Sequence, residues 1–75
     1  MNILAFGKIT DILRCTEQEL SGPETVAELR ERLETDYPEL KTIRYLIAVD
    51  KKTASDQTTL SEHSEAALLP PFSGG

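Results

Sequence analysis

The chain has 75 residues, 39% of them hydrophobic, and its eight lysines and arginines are outnumbered by thirteen aspartates and glutamates, for a net charge of −5. This length allows one small domain with a thin core. The hydrophobic fraction argues against a disordered chain, and the acidic balance disfavours nucleic-acid binding, which needs a basic surface. Cys15 is the only cysteine, so an internal disulfide and a cysteine-based zinc site are both excluded.

Nothing in the sequence predicts export or membrane insertion. The apolar run at the N-terminus, Ile3 to Phe6, is followed closely by Lys8 and is too short for a signal peptide. No stretch approaches the length of a membrane span. Together with the single cysteine, this pattern leads us to expect a cytoplasmic protein.

Two short strands are predicted before the first turn signal. NILAF, residues 2–6, is an apolar run typical of a strand buried on both faces. We interpret GKITDIL, residues 7–13, as a connection with a few apolar contacts. RCTEQEL, residues 14–20, is a weaker and more polar strand, suited to a sheet edge, and a turn signal follows at residues 21–23.

One helix is clearly predicted, at about 25–36. Thr25 and Glu28 fit a capping box, in which a hydroxyl and a carboxylate satisfy the free amides at a helix start. Pro38 ends the helix because it disfavours helical geometry in the residue before it. The spacing predicts ion pairs one turn apart on the outer face, and an apolar stripe on the core side. The pairs are Glu28–Arg32 and Arg30–Glu34, and the stripe is Val26, Leu29 and Leu33.

The second half of the chain predicts the remaining strands. IRYLIAV, residues 43–49, alternates between two faces and is the strongest strand candidate. Residues 50–64 are mostly polar, with room for a short hairpin followed by a turn, and EAALL, residues 65–69, is a last strand stopped by Pro70. This order predicts an α+β fold, with one main helix on a mixed sheet of four to five strands.

Nearly all familiar catalytic motifs are missing. His63 is the only histidine, and we interpret it as a solvated loop residue, not a metal ligand. The chain contains no G-x-S-x-G, no G-x-G-x-x-G and no P-loop. We therefore expect no metal site and no independent enzymatic activity.

The last six residues, PPFSGG, have a more specific pattern. Pro70 and Pro71 have a fixed φ, which lowers the entropy lost when a partner grips the segment. Phe72 is a natural anchor for a partner's pocket, and Gly74 and Gly75 can enter a channel too narrow for a Cβ atom. Only the terminal carboxylate is charged, and it must be activated before it can react. The pattern predicts an arm delivered into the active sites of other proteins.

The ending LSEHSEAALLPPFSGG resembles that of the small subunit of molybdopterin synthase, among the ubiquitin-like sulfur carriers of the MoaD and ThiS type. The opening NILAFG, the helix TVAELRERL and the strand IRYLIAV extend the resemblance over the whole chain. The resemblance implies a ubiquitin-like β-grasp domain over residues 1–69. It also implies a protruding, flexible tail over residues 70–75.

The same resemblance implies a chemistry for the last residue. An E1-like adenylating enzyme would activate the carboxylate of Gly75 with ATP, and a persulfide sulfur donor would convert it to a thiocarboxylate. The tail, anchored and threaded by Phe72, Ser73 and Gly74, would enter the large subunit of molybdopterin synthase in a heterotetramer. There it would donate sulfur to cyclic pyranopterin monophosphate. The chain would bind no cofactor, and the activating partner would consume the ATP.

Three positions depart from the pattern of this family. His63 stands where glycine is usual, and its side chain is expected to distort a positive-φ turn. Asp50 replaces a frequent asparagine, and Asp11 replaces a common basic residue. None of the three lies in the tail, so they bear on the choice of partner more than on the chemistry.

Two other functions stay open at this point. A carrier for thiamine thiazole or another sulfurated product shares the Gly-Gly end, although those relatives usually lack the two prolines. A ubiquitin-like modifier or binding module would use the same tail for isopeptide bonds or for no bond at all. An activated glycine acylates amines as readily as it accepts sulfur.

Overall fold

The computed structural model describes residues 1–70 of the chain. Within this range, five strands form one mixed sheet in the order β2-β1-β5-β3-β4. β1 and β5 are parallel, and the other neighbouring pairs are antiparallel. The α+β prediction is therefore confirmed. The elements are β1 (Asn2–Ala5), α1 (Lys8–Leu13), β2 (Glu17–Glu19), α2 (Val26–Asp36), a 3₁₀ helix (Pro38–Thr42), β3 (Leu46–Val49), β4 (Lys52–Thr53) and β5 (Glu65–Leu69).

The hydrophobic core joins one face of the sheet to the helices. Each large core side chain contributes about 1.5–3 kcal/mol by leaving water. Apart from Leu40 in the 3₁₀ helix, the largest of the fully buried side chains come from strands and α-helices, and α2 contributes three of them. They are Ile3, Ile9, Val26, Leu29, Leu33, Leu40, Ile47 and Leu68. The predicted apolar stripe of the main helix is confirmed.

The first strand and the segment after it differ from the prediction. In β1 only Ile3 and Ala5 are buried, so one face packs on the core and the other is half-buried. Residues 8–13 form a short helix and not a plain connection, because Ile9 and Leu13, one turn apart, both enter the core. Burial thus overrides the weak helix propensity of this isoleucine- and threonine-containing segment.

The main helix begins and ends as predicted to within one residue. Thr25 is the N-cap, and its Oγ1 accepts a hydrogen bond from the Glu28 amide at 3.3 Å. The Glu28 carboxylate accepts from the amide of Glu24, at 3.0 Å, instead of from that of Thr25. The helix ends at Asp36, before Pro38 starts the 3₁₀ helix.

The predicted ion pairs on this helix are not formed. Arg32 pairs with Asp36 at 3.2 Å, and Arg30 pairs with Asp56 at 3.4 Å. The two glutamates that were predicted as partners make other contacts. Glu28 caps the helix start, and Glu34 accepts a hydrogen bond from the Tyr45 hydroxyl. Tertiary contacts therefore decided the pairing.

The third strand is shorter than predicted and begins at Leu46, not at residue 43. Its neighbour β5 ends at Leu69, directly opposite Leu46, and the next residue is Pro70, which has no N–H to continue the ladder. The predicted alternation holds at this end, where Ile47 is buried and Leu46 is 45% exposed.

The predicted short hairpin is confirmed as β3–β4. Val49 pairs with Lys52, leaving Asp50 and Lys51 as a two-residue loop. Their φ angles are 51° and 71°, as a type I′ turn requires. Lys51 adopts this left-handed conformation although its side chain disfavours it.

Thr25→Ala should lower the free energy of unfolding by about 1 kcal/mol, because the amide of Glu28 loses its cap. For a domain of this size, that loss corresponds to a fall of roughly 4–8 °C in Tm. Thermal unfolding measures it. Thr35→Ala, on the exposed face of the same helix, is the control and should not lower Tm.

Lys51→Gly should raise the free energy of unfolding by about 0.5–1 kcal/mol, because glycine adopts the left-handed conformation without strain. The matched control is Lys52→Gly, one residue along in β4, which should destabilise by about 0.5–1 kcal/mol because glycine weakens a strand. Urea unfolding of both variants tests this. Equal effects at the two positions would contradict the assigned turn.

Candidate functional site

The residues predicted to carry the chemistry lie outside the described part of the chain. These are Gly75, predicted to form the adenylate and thiocarboxylate, and Phe72, Ser73 and Gly74, predicted to bind the partner. Of the predicted tail, residues 70–75, the structure describes only Pro70. The described residues include β5, the strand that leads into the tail, and the surface around the exit, the point where the chain leaves the sheet.

The strand before the tail occupies the centre of the sheet. β5 pairs with β1 from Asn2↔Glu65 to Ala5↔Leu68 and with β3 from Val49↔Ala66 to Leu46↔Leu69. Hydrogen bonds on both sides hold the strand in register, and a slip by one residue would turn Leu68 out of the core. The tail therefore starts from a fixed point at the end of a central strand.

Asp50 fastens the start of this strand. Its backbone N–H donates to the Glu65 carbonyl at 2.8 Å, and its Oδ1 accepts from the Glu65 N–H at 3.0 Å. An asparagine would supply the same carbonyl-type acceptor, so aspartate at this position preserves the contact. This departure from the family pattern leaves the local geometry intact.

The turn before β5 accommodates His63 without a positive φ angle. The positive-φ residues among residues 1–70 do not include it, so the positive-φ turn expected at this position is not present. Ser61 and Ser64 shape the turn instead, since the Ser61 N–H donates to the Ser64 Oγ at 2.9 Å and the His63 N–H donates to the Ser61 Oγ at 3.2 Å. His63 is exposed, as predicted. Asp11, the third departure, is exposed on α1.

Gly7 meets the base of the tail. A Cβ atom on Gly7 would stand 3.0 Å from the Pro70 Cγ, and Gly7 has a φ angle of +58°. Only glycine combines this conformation with so close an approach. Gly7 and Pro70 together set the place where the chain leaves the sheet.

An apolar surface surrounds this exit. Phe6 and Leu46 are the large hydrophobic side chains that residues 1–70 leave exposed, each at 45%. Leu46 lies opposite Leu69, and Phe6 directly follows Ala5, the partner of Leu68. We call Phe6, Leu46, Leu69 and Pro70 the exit patch. Exposed apolar side chains grouped in this way are typical of a protein-binding surface.

Among the described residues, Tyr45 has the most strongly shifted pKa, and its role is structural. Burial raises the pKa of the Tyr45 hydroxyl far above its ordinary value, and the hydrogen bond to Glu34 at 2.7 Å raises it further, while Arg30 acts in the opposite direction. The Arg30 guanidinium lies 5.2 Å from the centre of the Tyr45 ring. Tyr45 thus stays protonated and ties α2 to the segment before β3.

Other candidate chemistry is not assembled in the described residues. Residues 1–70 contain no group of three or more side chains able to hold a metal ion. Cys15 is half-buried. No helix among these residues combines the length and apolar character that crossing a bilayer requires.

Sequence reasoning missed the residues that build the exit. The sequence places Gly7 only at the start of the connection over residues 7–13, and Phe6 in a strand buried on both faces. The signal for Gly7 was weak, since a lone glycine after a strand marks any turn. Its contact with Pro70 depends on the parallel pairing of two strands from opposite ends of the chain.

Comparison with known proteins identifies the family. The model of the ThiS family matches residues 3–75. The molybdopterin synthase sulfur carrier subunit of Caenorhabditis elegans is 31% identical over 81 residues, an alignment that covers 100% of this chain and 96% of the relative.

Solved structures share the fold. The Pyrococcus furiosus protein named molybdopterin converting factor, subunit 1, superposes with a TM-score of 0.86 at 19% identity, covering 95% of each chain. Small archaeal modifier protein 1 from Methanosarcina acetivorans gives 0.84 at 23% identity, covering 99% of this chain and 94% of that one. These similarities confirm the ubiquitin-like β-grasp fold. The chain therefore belongs to the ThiS family, within the sulfur carriers that its C-terminal sequence resembles.

Proposed function

We propose that this chain is the sulfur carrier subunit of molybdopterin synthase and that the carboxyl group of Gly75 carries the sulfur. The observation that carries the proposal is the 31% identity, over the full chain, to the sulfur carrier subunit of Caenorhabditis elegans. The PPFSGG ending supports it, because it suits an arm that enters another protein's active site.

The chemistry follows from the state of the carboxylate, which is ionised at neutral pH and resists nucleophiles. On the adenylating enzyme, a carboxylate oxygen of Gly75 attacks the α-phosphorus of ATP and pyrophosphate leaves. The outer sulfur of a persulfide then attacks the acyl carbon and AMP leaves. A thiol cleaves the resulting acyl disulfide, forming a new disulfide on the donor side and leaving the thiocarboxylate. The thiocarboxylate sulfur then attacks a carbon of cyclic pyranopterin monophosphate and displaces an oxygen substituent there. Water hydrolyses the resulting thioester, which leaves the sulfur on the pterin and restores the carboxylate of Gly75.

The tail residues have separate roles in this scheme. A glycine at the reacting carbonyl leaves the acyl carbon open to attack because no side chain shields it. Phe72 anchors the tail, and Ser73 and Gly74 thread it through a narrow channel. An extended segment of six residues spans about 20 Å, enough to reach a buried active site.

The body of the protein supplies the docking surface. The exit patch would pack against the large subunit of molybdopterin synthase and against the adenylating enzyme in turn, since both must receive the same tail. Because β5 lies between β1 and β3, a force on the tail is resisted by hydrogen bonds to two neighbouring strands, whereas an edge strand would have only one neighbour. We propose a cytoplasmic heterotetramer of small and large subunits.

Co-expression with the adenylating enzyme and a persulfide donor tests the proposal. Mass spectrometry should show one oxygen of Gly75 exchanged for sulfur, and the product should support molybdopterin formation by the large subunit. Gly75→Ala should slow sulfur transfer by about 100-fold, because the added methyl misplaces the reacting carbon. Deletion of Gly74 and Gly75 should abolish transfer while leaving Tm unchanged, and retained transfer in that deletion would refute the proposal.

The second candidate is a carrier for a different sulfurated product, because the ThiS family match does not specify an acceptor. Deleting the gene decides between the two. Loss of molybdenum-cofactor enzymes with normal thiamine supports the proposal, and the reverse supports the thiazole carrier. A modifier role predicts lysines in cell lysate linked to Gly75, which the same mass spectrometry detects.

Gly7→Ala should impair sulfur transfer, because the new methyl group meets Pro70 and tilts the base of the tail. Rates of thiocarboxylate formation with the adenylating enzyme measure the effect, and we expect a fall of about tenfold or more. Gly22→Ala is the matched control. Gly22 also has a positive φ angle, +117°, but its Cβ would meet only an Arg32 side-chain nitrogen at 3.8 Å.

Both variants should lose stability from backbone strain, by about 1–2 kcal/mol. Only Gly7→Ala should slow the transfer at a temperature where both are folded. Equal rates in the two variants would show that Gly7 has no part in directing the tail.

A further inference from the structure

A groove beside the exit has a charge opposite to that of the protein. It encloses about 720 Å³ between α2, the 3₁₀ helix and the start of β3. Its lining includes three cations, Arg30, Lys41 and Arg44, and one acidic residue, Glu34. These are three of only eight lysines and arginines in a chain with a net charge of −5. We call this surface the basic groove.

The cations at the rim of the groove are not neutralised within the domain. Lys41 and Arg44 are exposed, and none of the ion pairs formed among residues 1–70 involves either of them. Glu34 is engaged with the hydroxyl of Tyr45, at 2.7 Å. The groove therefore presents two unpaired positive charges toward solvent, against the single negative charge of Glu34, which the neutral hydroxyl of Tyr45 holds at the floor.

The floor of the groove is held rigidly and is partly apolar. Tyr45 is 7% exposed, and it contacts α2 through both Glu34 and Arg30. Ile43 and Leu46 add apolar surface beside it. A ligand that combines carboxylates with at least one apolar side chain fits this lining, because its charges can meet the rim while its apolar part covers the floor.

The groove is continuous with the exit patch through one residue. Leu46 lines the groove and also pairs with Leu69, the last residue of β5. A protein that covers the exit patch while it receives the tail therefore lies beside the basic groove. The volume of the groove, about 720 Å³, and its charge suit a polypeptide segment better than a single small anion.

We propose that the basic groove binds an acidic segment of the large subunit of molybdopterin synthase, as a second attachment point that orients the carrier while its tail enters. The inference rests on the proposed function for the identity of this partner. Opposite charges at such a rim accelerate encounter and fix the orientation of docking more than they add affinity. The negative charge of the rest of the carrier would then disfavour other approaches.

The experiment compares two double variants with the same change in net charge. Lys41→Glu with Arg44→Glu reverses the groove, and Lys51→Glu with Lys52→Glu reverses the β3–β4 hairpin. Each is titrated by calorimetry with the large subunit at low salt. The groove variant should bind about tenfold more weakly than the wild type, and the hairpin variant should stay within about twofold.

Salt provides an independent readout. Between about 50 and 300 mM salt, the difference between the wild type and the groove variant should shrink, because exposed charges are screened over a few ångströms at the higher value. Both variants change only exposed side chains and should therefore stay folded. Measuring the Tm of each variant checks this. Equal weakening by the two variants, or no weakening by the groove variant, would overturn the proposal.

The experiments distinguish an error in the proposed function from an error in the proposed binding site. If the wild-type chain does not bind the large subunit, the identity of the partner is wrong. The groove is then tested alone, by NMR titration of the full chain with hexaglutamate. Amide shifts confined to residues 41–46 and lost in the groove variant uphold a site for acidic segments, and their absence overturns it.

Discussion

The pairing of the first strand with the last is the constraint on which the rest of this structure depends. β1 and β5 lie side by side and parallel at the centre of the sheet, although they come from opposite ends of the chain. Their inward side chains, among them Ile3, Ala66 and Leu68, are fully buried against the core. Non-local pairing of this kind costs loop-closure entropy, and burial of the shared core face offsets it.

This pairing also fixes where the C-terminal segment leaves the sheet. The final strand is locked on both sides, so the residues that follow it leave from a defined position. The same geometry brings Gly7 next to Pro70 and places Phe6 near the exit. A thin core of this size has little surplus stability, and the strand at the exit is held by hydrogen bonds to β1 on one side and to β3 on the other.

Charge is unevenly distributed over the described residues. The acidic residues are spread over α2, β2 and the loops, whereas three cations converge beside β3. The ion pairs that helical spacing predicted do not form, because Glu34 turns to Tyr45 and Arg30 reaches Asp56. The two exposed cations at the rim of the groove, Lys41 and Arg44, take part in none of the ion pairs formed among residues 1–70.

Local patterns predicted the main helix and the strands of this fold, but not the α1 helix or the start of β3. The cap at Thr25, the stop at Pro38, the strand EAALL and the short hairpin follow from propensities and capping chemistry that operate within a few residues. The α1 helix was missed because its propensity is weak and its stability comes from the burial of Ile9 and Leu13. The start of β3 was placed too early because its length depends on where β5 ends.

The sequence by itself determined the family, the main helix and the chemistry expected of the last residues, since capping, apolar spacing and the PPFSGG ending are all readable in one dimension. Only the tertiary structure decided which surfaces surround the point where the chain leaves β5. Gly7 against Pro70, Leu46 opposite Leu69, and Arg30 beside the pair Lys41 and Arg44 bring together residues from separate elements. Such contacts arise from strand pairing and core burial, which depend on the whole chain at once.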